Sequence, residues 1–517
     1  MKKTTLLLVA LLPLLTVTAQ KKNKAIEKFG NSITAADLKR HLYIVASAEM
    51  EGRDTPSPGL EKAGSYIEEY FKSIGLKPGN GDSYRMPYPL YKDSVVSSSI
   101  SVNGKSFEIN KDYLNNNANY SAEIPFSEVV FAGYGIVDDK MDSYKDLDVR
   151  GKAVLILDGT PADYKSAQTG NMNPGQTFGK LQNASKKGAL AVLLVSKSFG
   201  STSGRPGANR GGGWNLNGYR SNFNPLLFYI SEKVATEIMG EEGTGIFDKM
   251  TSGTLKGKIY KANIDLSFQK KNVTTHVSNV MGLIEGTDKK DEYVIITAHY
   301  DHVGKRNDTT IFYGADDDGS GTVSVLELAE AFAKAKAAGK GPRRSILFMT
   351  VSGEEHGLWG SAYYSNHPVY PLEKTTVNLN IDMIGRIGND YMKDKDSANY
   401  VYVIGDNKLS SDLTPITENV NSTYTKLKLD RKYNDPNDPN RFYYRSDHYN
   451  FAQKGVPIIF YFNGVHPDYH RPTDTPDKIK YELMEKRAKL VFYTALEMAN
   501  REEMLKRDVP LDGQRAF

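Results

Sequence analysis

Residues 293–302, YVIITAHYDH, decide how the rest of the chain is read. Val294 to Ala298 is a short, unbroken run rich in apolar and β-branched residues, the pattern of a strand buried on both faces. It ends abruptly in His299-Tyr300-Asp301-His302. Working outward, Val323 to Ala337 reads as a helix, with Val325, Leu328, Ala329, Phe332 and Ala333 on one face. Further strands follow at Ile346–Val351, Val377–Ile381, Tyr400–Ile404 and Pro457–Phe462, and a last helix covers roughly Lys478–Arg501. Strands alternating with helices predict an α/β fold, a mixed, mostly parallel sheet sandwiched by helices.

In such sheets, ligand groups lie just beyond the carboxyl ends of the strands. The residues found there form a consistent set. Ser352-Gly353-Glu354-Glu355 follow one strand, Asp382 follows the next, and a loop with His466 and His470 follows Pro457–Phe462. Between the first two strands, Gly314-Ala315-Asp316-Asp317-Asp318-Gly319-Ser320-Gly321 opens a helix. Taken singly, each has an ordinary reading. An Asp at a helix start is usually a cap, and a Glu pair or lone His is usually solvated or structural. Convergence of four strand ends on one rim is what points to a metal site. Glu327 and Glu330, in the helix after the acidic run, are expected on its solvated face.

Upstream, the apolar spacing from about Ile33 to Leu76 is helical, and a polar, strand-like stretch runs from Tyr84 to Asn110. Residues 124–264 differ in character. Short β-like runs (Val129–Phe131, Ala153–Leu157, Ala191–Val195) flank a helix-compatible stretch, Phe178–Lys187, and precede a Gly/Ser/Asn-rich loop, Ser198–Asn224. At the N-terminus, Lys2 and Lys3 precede the apolar run Leu6–Leu15 and the small residues of Val17-Thr18-Ala19. This predicts a secretory signal over residues 1–19, and export to the periplasm or the extracellular space. The run is too short to span a bilayer, and no later segment has the length and apolarity of a span.

Composition limits the chemistry. The 517 residues contain no cysteine, so thiolate ligands, Cys nucleophiles and disulfides are excluded. Any metal must be held by His, Asp and Glu. Lys+Arg is 66 against 62 for Asp+Glu, a balance that predicts no nucleic-acid surface.

The ordered set His299-x-Asp301, GADDDGSG, SGEEHGLWGS, NIDMIG, SDH and HRPTDT resembles the co-catalytic dizinc peptidases of clan MH, the M28 family. The resemblance spans roughly Val280–Arg501 and implies a zinc-exopeptidase (phosphorylase/hydrolase-like) fold. Residues 124–264 resemble a protease-associated (PA) domain through Phe131-Ala132-Gly133-Tyr134-Gly135-Ile136, Asp146–Lys152 and Gly188-Ala189. The implied organisation is a peptidase domain of residues 20–123 and 265–517, interrupted by a β-rich PA-like insert at 124–264. The resemblance assigns His299 and Asp382 to one ion, Glu355 and His470 to the other, and Asp317 as the carboxylate bridging both. Glu354 looks like the general base and Asp301 like the carboxylate that orients the His299 ring.

Three ligand carboxylates against two divalent ions leave one positive charge, which a shared hydroxide neutralises. The donor set suits two Zn2+, with Mn2+ or Co2+ as substitutes. Tyr443 or Tyr444 is a candidate oxyanion donor, with aromatic packing as the other reading. His302, His356, His448 and His466 are expected in structural or supporting roles. The implied activity is removal of N-terminal residues from peptides. A carboxypeptidase or dipeptidase would need a cation for the substrate carboxylate, for which Arg386, Arg441 and Arg445 are at hand. A one-zinc glutaminyl-cyclase-like enzyme and a non-catalytic binding module are the remaining readings.

Overall fold

The computed structural model describes residues 22–116, 120–166, 168, 173–197, 199, 213–218 and 224–511. The expected signal segment and most of the Ser198–Asn224 loop lie outside the described residues. The chain forms two compact units, one of residues up to Tyr88 together with His276 onward, the other Pro89–Thr275.

The first unit is built on β1 (Lys258–Ile284, through its residues 280–284), β2 (Lys289–His299), β3 (Arg344–Val351), β4 (Thr375–Ile381), β5 (Tyr400–Ile404), β6 (Lys428–Asp430) and β7 (Ile458–Phe462). Their spatial order is β6-β5-β7-β4-β2-β3-β1. The four central strands β7, β4, β2 and β3 are mutually parallel, while β5 is antiparallel to β7 and β1 is antiparallel to β3. The sheet is thus mixed and mostly parallel, as the strand–helix alternation predicts. β3, β4 and β7 are buried at every position, which is why they read as continuous apolar runs.

Successive residues face opposite layers. Phe348 meets Phe332 of the helix α1 (Gly321–Ala337), which in turn meets Phe492 of the C-terminal helix α2 (Tyr481–Asn500). Leu347 and Met349 share a core with Tyr364 and Phe451, from the helices Trp359–Asn366 and His448–Gln453. In register, His299 lies beside Val351 and Thr297 beside Asn380, so the parallel strands finish along one edge.

Two expectations need correction. The helical spacing from about Ile33 to Leu76 is carried by two helices, Ala35–Val45 and Pro58–Ser73, and is interrupted between them. The break is a tight turn in which Glu51, Gly52 and Arg53 all take positive φ. Ser57 caps the second helix, accepting from the Leu60 N–H at 3.1 Å, with Pro58 at its first position. Second, Glu327 is not on a solvated face: it is 1% exposed, 3.3 Å from His41. The second compact unit, Pro89–Thr275, takes in more than residues 124–264. Ile100, Val102, Phe107 and Tyr113 are buried in the same core as Val129, Leu155 and Leu193, apolar positions hidden inside a polar-looking stretch.

This second unit has its own parallel strands, Ala122–Phe131, Ala153–Leu157, Ala191–Val195 and Leu226–Ile230, with Tyr113–Asn116 antiparallel at the edge. Its helices are Thr177–Lys186, Glu232–Met239 and Ile246–Thr251. Among the described residues no helix is long and apolar enough to cross a membrane.

Candidate metal centre

The parallel strands deliver their next residues to one rim. His299 ends β2, Glu354 and Glu355 follow β3, Asp382 follows β4, and the loop after β7 carries His470. Asp317 comes from the turn that precedes α1. That turn needs glycine at two places. Gly314 has φ +55°, and a Cβ there would lie 2.3 Å from the Asp317 carbonyl and 2.5 Å from the His302 ring. A Cβ on Gly321 would meet the Asp318 carboxylate at 2.3 Å. Only a chain without side chains at these points folds close enough to present Asp317 to the rim.

Asp317 stands between two clusters. Its Oδ1 is 3.3 Å from His299 Nε2, which is 3.6 Å from Asp382 Oδ1. Its Oδ2 is 3.0 Å from His470 Nε2, which is 3.0 Å from Glu355 Oε2. A tetrahedral ion with bonds of 2.0–2.1 Å separates its ligand atoms by about 3.3 Å. The observed spacings centre on that value. His299 Nε2, His470 Nε2 and Asp317 Oδ2 are buried, yet none makes a hydrogen bond within the protein. Donor atoms this close, and aimed at common points instead of at one another, are what a cation requires. The residues therefore fit two divalent ions.

The electrostatics agree. Burial alone would raise Asp317, but the His299 and His470 rings outweigh it and hold the carboxyl well below its usual range. Burial alone would lower His470, but Asp317 and Glu355 lift it to about 10. His299 is lifted in the same way, chiefly by Glu354 and Asp382. A bound cation would replace the protons these rings attract.

Asp318 and His302 belong to the same clusters: one atom each of His299, Asp318 and Asp382, and of His302, Asp317 and Glu355, lie close enough to hold an ion. Asp318 accepts the N–H groups of His299 (3.2 Å), Gly321 (2.9 Å) and Met383 (3.0 Å), which ties three segments of the rim together. His302 Nδ1 lies 2.8 Å from Glu355 Oε1 and 3.8 Å from Asp317 Oδ2. Asp382 is steadied by a buried chain. Ser446 Oγ donates to its Oδ2 at 2.6 Å, Asn380 donates to Ser446 at 2.9 Å, and Thr297 donates to Asn380 at 2.6 Å. These polar residues inside buried strands serve the rim.

Glu354 is 3.9 Å from His299 Nε2 and belongs to neither donor set. Burial, with the nearby Asp382, Glu355 and Asp447 carboxyls, pushes it well above the usual carboxylate range. Its backbone N–H donates to Asp301 Oδ1 at 3.2 Å. The nearest partner of the His299 ring is the Asp301 carbonyl, 3.1 Å from Nδ1, with the Asp301 carboxylate at 3.7 Å. Asp301 thus holds both the ring and the backbone of Glu354.

Of the remaining histidines, His356 pairs with Asp54 at 2.7 Å and His466 with Asp316 at 3.1 Å. His448 faces the Tyr443 carbonyl at 2.8 Å, and burial pushes it down to about 3.

A small cavity opens beside Glu354, Asp317 and Asp382. Its other walls are Met383, Phe442, Arg445, Phe460, Phe462, Val465 and Tyr469. Tyr443 and Tyr444 are not among the lining residues; Tyr443 is buried in the aromatic core. Tyr469 does line it, and burial with the surrounding carboxylates keeps its phenol protonated.

Sequence reading missed Arg53, which is fully buried. Its guanidinium donates to the carbonyls of Val45, Tyr300, Tyr313 and Gly314 at 2.8–2.9 Å. Burial lowers it to about 10, so it stays charged at neutral pH and offsets Asp301, Asp317 and Asp318. Its only trace in the sequence is an Arg between Gly52 and Asp54. Arg53→Met leaves four carbonyls without a donor, and is expected to cost about 3–5 kcal/mol in denaturant unfolding. A loss below about 1 kcal/mol would contradict this clamp role.

A mixed sheet whose parallel strands all end in carboxylates and imidazoles defines an α/β domain of the metallopeptidase type. Residues 279–495 match the model of peptidase family M28, and this segment is an M28 peptidase domain. A probable leucine aminopeptidase of Arthroderma otae is 32% identical over 226 residues, covering 43% of this chain and 57% of that protein. Aminopeptidase YwaD of Bacillus subtilis is 25% identical over 370 residues, covering 69% of this chain and 65% of its own. The chain therefore spans less than two thirds of the length of these relatives. Among solved structures, an aminopeptidase from Aneurinibacillus sp. strain AM-1 has the same fold (TM-score 0.51, 22% identity, 94% of this chain and 98% of that one).

Proposed function

We propose that this protein is an exported, co-catalytic dizinc exopeptidase that removes N-terminal residues from peptides. The observation that carries the reading is Asp317, whose two oxygens face two separate histidine-centred clusters at 3.3 and 3.0 Å. His299 and Asp382 would hold one zinc ion, His470 and Glu355 the other, and Asp317 both. Bound there, the ions would acidify a shared water and polarise the scissile carbonyl. Glu354, unligated and lifted by burial, takes the proton of the attacking water and returns it to the leaving amine. Asp301 fixes the backbone of Glu354 and the ring of His299. The protonated Tyr469 phenol is suited to donate to oxygen that becomes negative in the cavity. The acidic wall of Glu354 and Asp382 suits a free α-amine.

The Pro89–Thr275 unit corresponds to the PA-like insert on this reading, and the N-terminal signal directs export. The aminopeptidase names among the relatives support the choice of substrate end. Arg386, a candidate for holding a substrate carboxylate, is already committed to Asp468 at 2.7 Å and Asp474 at 3.4 Å. That weakens the carboxypeptidase alternative.

The test is turnover of aminoacyl-arylamides, their N-acetylated forms and free dipeptides. Cleavage of only the free-amine compounds, lost on chelation and restored by zinc, is expected. Cleavage of the acetylated compounds, or turnover that survives chelation, would refute it.

A further inference from the structure

We propose that Arg445 is a specificity residue that receives a carboxylate of the substrate beside the reacting centre. The inference rests on the exopeptidase reading above and names the chemistry of its substrate.

Arg445 lines the same cavity as Glu354, Asp317 and Asp382. Of the three arginines near the motifs it is the one in that wall. Arg386 is held by two aspartates, and Arg441, over the Tyr444 ring at 4.9 Å, is not among the residues that line the cavity. Arg445 is exposed, and among the described residues no carboxylate lies within ion-pair distance of it. Its guanidinium sits over the Phe442 ring at 5.0 Å, with one weak approach to the Asn440 carbonyl at 3.5 Å. Stacking on Phe442 orients the planar fork and leaves its donors for a partner.

The rest of the cavity is divided. Phe442, Phe460 and Phe462 offer apolar wall, and Asp317, Glu354 and Asp382 offer three carboxylates. A ligand that complements both has a cationic amine toward the carboxylates, an apolar stem and an anionic end toward Arg445. Two parts of a peptide supply that anion: an acidic side chain on the terminal residue, or the free C-terminal carboxylate of a very short peptide. A cationic side chain would be repelled by Arg445, so the residue also excludes lysyl and arginyl termini.

The experiment compares wild type with Arg445→Glu and Arg445→Lys. The substrates are leucyl-, glutamyl- and lysyl-arylamide, and Leu-Gly with its C-terminal amide. In Arg445→Glu, kcat/KM for carboxylate-bearing substrates is expected to fall at least about tenfold relative to leucyl-arylamide. Lysyl-arylamide gains by a comparable factor, and Arg445→Lys keeps part of the wild-type preference. A loss confined to glutamyl-arylamide identifies the side chain as the source. A loss confined to Leu-Gly, with its amide spared, identifies the C-terminal carboxylate. Equal change on all substrates, within about twofold, would overturn the proposal and leave Arg445 a packing residue.

If wild type cleaves no free-amine arylamide, the aminopeptidase reading fails on its own, and the Leu-Gly pair still reads Arg445. Calorimetric binding of free glutamate against free lysine to the Glu354→Gln protein makes the same comparison without turnover. Weaker discrimination after Arg445→Glu in that background supports the proposal, and unchanged discrimination refutes it.

Discussion

Glu354→Gln is expected to lower kcat by about 10²–10⁴-fold while the fold and the zinc content stay intact. The substitution keeps the shape of the side chain and removes its ability to hold a proton. Glu354 lies on the cavity wall, 12% exposed and 3.9 Å from His299 Nε2, outside both donor sets. Asp317, Glu355, Asp382, His299 and His470 are untouched by the change, so metal analysis should return the same stoichiometry. The pH profile gives a second readout. A general base works only when ionised, so turnover falls as pH falls through its pKa, and burial with neighbouring carboxyls lifts that pKa in the chain without metal. The residual activity of the variant should lose this acid limb. Turnover within tenfold of wild type would refute the assignment of Glu354 as base.

Much of this site was legible because α/β sheets put ligands at strand ends. β3, β4 and β7 are buried on both faces, so their apolar runs mark the strand ends to within a residue or two. The residue after each run is then a candidate by position alone, as with Asp382 after Ile381. What stayed hidden depends on long-range packing. Arg53 lies some 250 positions from three of the four carbonyls it clamps, and no local pattern announces such a contact. Glu327 sits at a position where helical spacing says solvent, but His41, from a distant helix, covers it. The division of the acidic run is equally tertiary. Asp316, Asp317 and Asp318 are identical in composition. Backbone amides from Met383 and Gly385 claim the outer two, which leaves Asp317 to face both histidines.

That division carries the second large effect. Asp317→Asn is expected to abolish detectable turnover and to reduce bound zinc from two ions per chain to fewer than one. An amide contributes no charge and offers one good acceptor, whereas the carboxylate serves His299's cluster with Oδ1 and His470's with Oδ2. Without it, each proposed donor set keeps one carboxylate and one imidazole, with Asp318 beside the first and His302 beside the second, and the carboxylate shared by both ions is lost. Stability should report the same loss. Zinc at 100 times its dissociation constant stabilises a folded protein by about 2.7 kcal/mol per site, so wild type should unfold at a markedly higher temperature with zinc than with chelator. Asp317→Asn should show almost no such difference. Its metal-free form should be less stable than metal-free wild type near neutral pH, because the His299 and His470 rings hold the Asp317 carboxyl well below its usual range and that interaction is lost. Asp318→Asn is the contrasting control. Its oxygens accept backbone N–H groups from His299, Gly321 and Met383, so its cost should fall on the metal-free fold. Retention of two zinc ions by Asp317→Asn would rule out Asp317 as the shared carboxylate.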